Sequence, residues 1–235
     1  MAENQVEMMA EKVDVNSKAA KFERVRAAAI EKLQKSDLAS IAELSGALVK
    51  ETASAPDSLI VDYLGKAVTV NTASATISVD TDDWKEYGGE LKISEEIFIL
   101  HYLISSTGKK PGGNYMPFRD MDGGLFYDSV FQARSVNRFV RAFGERGHSL
   151  VETCASMGGV STDMSGLSMK LRVLPNIEIV MLLWEGDEEL PSSGNILFDD
   201  TITDYLPSED SVVMAENVVG RILAHDKARA LKEKQ

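Results

Sequence analysis

The chain has 235 residues, enough for one domain or two, and 44% of them are apolar, enough for a sizeable core. Acidic residues outnumber basic ones 37 to 25, a net charge of −12, which argues against a protein that tracks nucleic-acid phosphates. The single cysteine, Cys154, excludes an internal disulfide and an all-cysteine metal site. No apolar run nears the roughly 20 residues a membrane helix needs, and the N-terminus does not read as a signal peptide, so a reducing cytoplasm fits.

In chain order, residues 1 to about 35 carry no Gly or Pro, and Val13, Phe22, Val25, Ala29 and Leu33 approximate one helical stripe. Ser36 or Asp37 suits the cap of a second helix, Leu38 to Val49. After the breaker TASAPDS come short β-rich pieces, Leu59–Val61, Ala67–Val70 and Thr76–Val79, with a hairpin around Asn71 to Ser74. Ser94 begins a helix that is apolar nearly all round, which predicts burial. NYMPFRDMDGG reads as an extended piece ending in a Gly-Gly turn. Ser129 to Phe143 and Leu150 to Met157 read as helices, the second closed by Gly158-Gly159. Leu167–Leu174 and Ile177–Trp184 read as an antiparallel hairpin about Pro175-Asn176, and Asn195–Phe198 as a further short piece. Ser211 to Ala224 closes the chain as an amphipathic helix, before a disordered lysine-rich tail.

The fold expected is α+β: an antiparallel sheet packed against helices, with a helical N-terminal arm at 1–50, one domain at 51–228 and a tail at 229–235. A doubly wound parallel sheet is the alternative. Pro175-Asn176 is too short for the crossover it requires.

Three polar features draw attention. Trp184 ends an apolar strand and is followed by the acidic turn Glu185, Asp187, Glu188 and Glu189. Such a turn is able to hold a hard cation or supply an acid–base pair, with Glu185, Asp187 and Glu188 as the ligands. The plainer reading is a solvated acidic turn. Arg119-Asp120, followed by Gly123-Gly124, offers a guanidinium clamp for an anion beside a turn that lets backbone approach closely. Its plainer alternative is an ion pair with the acidic turn. His101 lies in the most apolar helix, as a satisfied core imidazole or as a ligand to a cofactor metal. His148 and His225 read as surface residues. Cys154 reads as a buried thiol, and no complete nucleophile–base set is visible.

The segments DLASIAELSG, YLGKAVTV, ILHYLISSTGK, MPFRDMDGG, VLPNIEIVMLLWEGDEELP and NILFD carry a resemblance. Over roughly four-fifths of its length the chain resembles an uncharacterised family of anaerobic bacteria and archaea, catalogued only as a domain of unknown function. Asp120 stands where that family has glutamate, and Leu190 where it has phenylalanine. Some relatives carry an N-terminal iron–sulfur segment; with one cysteine in its sequence, this chain is expected to be without that segment and its cluster. The resemblance associates the chain with corrinoid and one-carbon metabolism.

Three function classes follow, in this order. The first is a cytosolic ligand- or cofactor-binding accessory protein, for an anionic small molecule or a tetrapyrrole-like (corrinoid or haem) cofactor. Arg119, Asp120, Gly123, Gly124, His101 and Trp184 line its site. The second is a hydrolase or transferase that uses a divalent cation at the acidic turn. The third is a subunit of a complex, docking on a protein partner through its N-terminal helices. No nucleic acid and no membrane is expected as a partner.

Overall fold

A computed structural model describes residues 19–51 and 56–234. Helix α1 spans residues 19–34 and buries Ala29, Ile30 and Leu33. Val13 of the expected stripe lies outside the described residues. Asp37 caps α2 (Leu38–Ser45) by accepting the Ala39 N–H, and Gly46, at φ 74°, stops it. The expected helix to Val49 is therefore too long: Leu48–Glu51 is strand β1.

Strands β1, β2 (Pro56–Tyr63), β3 (Lys66–Asn71) and β4 (Thr76–Val79) form an antiparallel meander in chain order. The β2–β3 turn is two residues, Leu64 at φ 54° and Gly65 at φ 77°, the mirror-image turn whose twist suits a hairpin. A leucine is strained there, but its side chain is fully buried and its N–H donates to Val173 O at 3.0 Å. That bond ties the meander to the second sheet.

Helix α3 (Thr81–Trp84) and a 3-10 turn (Lys85–Tyr87) lead to α4 (Ile93–Ser105). Strand β5 (Tyr115–Pro117) and a 3-10 turn (Phe118–Asp120) precede α5 (Gly124–Phe131). A π turn over Gln132–Val136 joins α5 to α6 (Asn137–Phe143), so this helical stretch begins five residues before the Ser129 expected. Then come α7 (Gly147–Ser156), β6 (Val160–Ser161), β7 (Leu167–Leu174), β8 (Ile177–Trp184), β9 (Ser193–Asp199), a 3-10 segment (Asp200–Asp204) and α8 (Ser208–Lys232).

The second sheet is antiparallel, in the order β5-β9-β8-β7-β6, with Leu167 opposite Leu183. The fold is α+β, with two antiparallel sheets where one was expected. Residues Ile179 to Leu183 are all buried, as befits a central strand covered on both faces.

Helix α8 organises the rest. Its 25 residues span about 37 Å at the helical rise. It packs on α4, α5, α6, α7 and the turn after α3. It continues to Lys232, past the Ala224 expected, and residues 229–232 are helix where a disordered tail was expected. The cause is polar pairing: Arg229 reaches Glu152 and Thr153 of α7, each at 3.0 Å. Helices α1 and α2, expected as an arm, contribute to the same core as both sheets and α8.

Candidate functional site

Two histidines pair with side chains of other elements, one near each end of α8. At the first turn, His101 of α4 places Nδ1 2.6 Å from Asp210 Oδ2. The carboxylate is mostly buried, with its side chain 16% exposed, while the imidazole is 31% exposed. Among the described residues no hydrogen bond engages His101 Nε2.

The Gly123-Gly124 loop lies against the same end of the helix. Ser208 donates its hydroxyl to Asp122 O. Gly123 takes φ 72°, and Gly124 touches the chain so closely that a Cβ there would sit 2.0 Å from Phe118 O. Tyr127 Oη donates to Glu209 Oε1 at 3.0 Å. A cleft of about 500 Å³ opens here, lined by Ser105, Asp122, Gly123, Asp204 and Glu209. Leu125 and Phe126, at the start of α5, are 66% and 87% exposed. Arg119 and Asp120 are exposed, and Arg119 forms no ion pair among the described residues.

The acidic turn stands apart. Glu185 Oε1 accepts the Gly147 N–H at 2.9 Å and so anchors the start of α7. Asp187 Oδ1 accepts the N–H groups of Leu190 and Glu189, which lower its pKa. Glu188 is exposed, and Trp184 is 37% exposed at the end of β8. Among the described residues no hydrogen bond or ion pair joins Arg119 or Asp120 to residues 185–189. No group of three or more His, Cys, Asp or Glu side chains among them is arranged to hold a metal ion.

Toward the other end of α8, His225 corrects its sequence reading as a surface residue. It is buried, because the helix continues past it and lays it on Tyr87, with ring centroids 4.9 Å apart. Its Nε2 is 2.9 Å from Ser156 Oγ, and its Nδ1 is 3.7 Å from Glu86 Oε2. Burial pushes the imidazole below its ordinary 6.5, against the pull of Glu86. A cleft of about 390 Å³ opens over this group, between the Leu64-Gly65 turn and the end of α7. A second basin, about 570 Å³, shares Gly65, Met157 and Gly158 and reaches Lys170 and Arg172. Nothing in the sequence pairs residues 86, 156 and 225. The available signal was the apolar stripe of α8, whose continuation past Ala224 turns His225 inward.

The buried Glu95–Arg221 pair is a structural feature. Every donor of its guanidinium is taken by protein, so none is left for a ligand.

The chain belongs to the family described as a domain of unknown function (DUF3786), which it matches over residues 37–221. That span holds His101, Asp210 and the Gly123-Gly124 loop, and ends four residues before His225. No curated protein and no solved structure matches the chain. No helix among the described residues is long and apolar enough to cross a membrane.

Proposed function

We propose that the protein is a ligand- or cofactor-binding accessory protein whose ligand meets His101. The observation that carries this reading is the 2.6 Å contact between Asp210 and His101 Nδ1, with Nε2 unbonded among the described residues. A carboxylate on one ring nitrogen fixes the tautomer and leaves the other nitrogen for a ligand, the usual preparation of a metal-ligating histidine.

The surroundings narrow the ligand. Asp122, Asp204 and Glu209 line the adjoining cleft, so a free small anion is repelled there. A metallo-tetrapyrrole fits better. Its metal would take the imidazole, its apolar face would cover Leu125 and Phe126 at the same end of α8, and Arg119 would meet an acidic side group.

The test is native mass spectrometry, with an absorbance spectrum, on protein purified without oxygen from its own host. A bound chromophore is expected. An apo protein that takes up neither haem nor a corrinoid on addition would overturn the reading.

A further inference from the structure

The His225 group rests on different residues and different chemistry from the His101 reading, and stands or falls independently of it. His225 is buried, its side chain 6% exposed, and among the described residues Nδ1 has no hydrogen-bond partner. A buried polar nitrogen left open is costly, and such a group in a native structure calls for a reason. Its surroundings supply one. Ser156 ends α7, just before the chain turns at Gly158, where φ is 82°. Its hydroxyl, 2.9 Å from Nε2, is therefore presented at the cleft. Glu86 is held by Lys232 through Oε1, leaving Oε2 toward Nδ1.

We propose that Ser156, His225 and Glu86 form a nucleophile, base and positioning carboxylate for acyl transfer, acting on a small ester whose alcohol part is neutral or cationic. The order of contacts is that of a serine–histidine–acid set, recognised by geometry and role rather than by sequence position. The carboxylate at 3.7 Å selects the tautomer. A proton on Nδ1 faces Glu86 favourably, whereas a lone pair there would face it unfavourably. Nε2 then carries the lone pair that accepts the Ser156 proton. In that tautomer the Ser156 proton leaves its alternative acceptor, Thr153 O at 2.8 Å. The 3.7 Å gap is longer than a hydrogen bond, and such gaps close when a substrate excludes water. Burial pushes the imidazole pKa down, the direction that favours the neutral form a base requires.

The chemistry balances with water as the only co-reactant. Ser156 Oγ attacks the ester carbonyl carbon and its proton passes to His225 Nε2. The bond to the leaving oxygen breaks, and that oxygen takes the proton, giving an acyl-serine and a free alcohol. Water then attacks the acyl carbon and gives its proton to Nε2. The bond to Oγ breaks, Oγ recovers the proton, and a carboxylic acid departs. Lys66 lines the cleft, its Nζ 5.6 Å from the Tyr87 ring centroid and 4.0 Å from Asp83 Oδ1, and is the cation the proposal assigns to the developing oxyanion. The cleft, at about 390 Å³, limits the substrate to a short acyl chain. Asp82 and Asp83 at its edge repel an anionic alcohol part.

The test treats the whole chain with a fluorophosphonate, locates the adduct by peptide mass spectrometry, and follows p-nitrophenyl acetate hydrolysis in parallel. Wild type is expected to carry one adduct, on Ser156, and Ser156→Ala none. His225→Gln is expected to label about 100-fold more slowly. Glu86→Gln, with its melting temperature checked, is expected to label about 10-fold more slowly and to shift the rising limb of the pH–rate profile, which a purely structural carboxylate would not do. No adduct on Ser156 in folded wild type overturns the proposal. So does labelling that His225→Gln leaves at the wild-type rate.

Discussion

Arg221 of α8 grips Glu95 of α4 in a bidentate ion pair, with Nε to Oε1 at 2.8 Å and Nη2 to Oε2 at 2.5 Å. The side chains are 5% and 0% exposed. The other guanidinium donors go to the carbonyls of Tyr87, Gly89 and Glu90, and Cζ lies 5.0 Å from the Trp84 ring centroid. Tyr63 Oη adds a bond to Glu95 Oε1 at 2.9 Å. The pair thus joins the meander, the turn after α3, α4 and α8. Arg221→Ala leaves a buried carboxylate without its partner and is expected to cost about 3–5 kcal/mol in urea unfolding. A loss below about 1 kcal/mol would mean that the pair does not hold these elements together.

Acid should weaken the fold in two stages. Burial holds the His225 imidazole below its ordinary 6.5. As pH falls through 6.5 the unfolded chain takes a proton that the folded chain refuses, so stability falls with pH across that window. Asp226 is the opposite case. Burial pushes its carboxyl up, but bonds from Ser149, Arg146 and Thr153 outweigh burial and leave it below 3.8. Its contribution is present above 3.8 and is lost as pH drops through the folded value. Urea midpoints measured from about pH 7 to pH 3 should show both stages, and His225→Gln should remove only the first.

The β7–β8 hairpin was legible to the residue, because two apolar runs break at Pro175-Asn176 and both faces of β8 are buried. Strand β1 was not: Leu48 and Val49 continue an apolar spacing that Gly46 ends only through its φ of 74°. The start of α5 was hidden because Leu125 and Phe126 point into solvent and leave no stripe to read. The last turns of α8 look like a charged tail until Arg229 finds Glu152. Of the expected site, His101 and the Gly123-Gly124 loop do come to one end of α8. The carboxylate on His101 is that of Asp210, 109 residues along the chain, a pairing that no local pattern encodes.

Gly124 tests how tightly that loop is built. A methyl group there meets a backbone oxygen at 2.0 Å, which no rotamer change relieves. Gly124→Ala is expected to cost about 1–3 kcal/mol, the range for overpacking. Gly123→Ala, which strains only a left-handed φ of 72°, should cost about 1 kcal/mol. Thermal melts of the two variants give the comparison, and equal melting temperatures would contradict the contact.

Cys154 is expected to be inert in the folded protein. It is fully buried, and burial pushes its thiol up to about 12, so almost no thiolate exists near neutral pH. Iodoacetamide should leave native protein unmodified and alkylate it fully in denaturant. Rapid native alkylation would show that α7 opens readily.

The most direct measurement is a titration with ferric haem and with aquacobalamin, followed by absorbance, on wild type, His101→Ala and Asp210→Asn. The account predicts a shifted, saturable band with one of the two ligands in wild type. That band should be lost in His101→Ala while circular dichroism shows the fold intact. Asp210→Asn should weaken binding about 10–100-fold, the usual effect of removing the carboxylate behind a metal-ligating histidine. An identical band in His101→Ala, or no shift with either ligand in wild type, would contradict a cofactor site at His101.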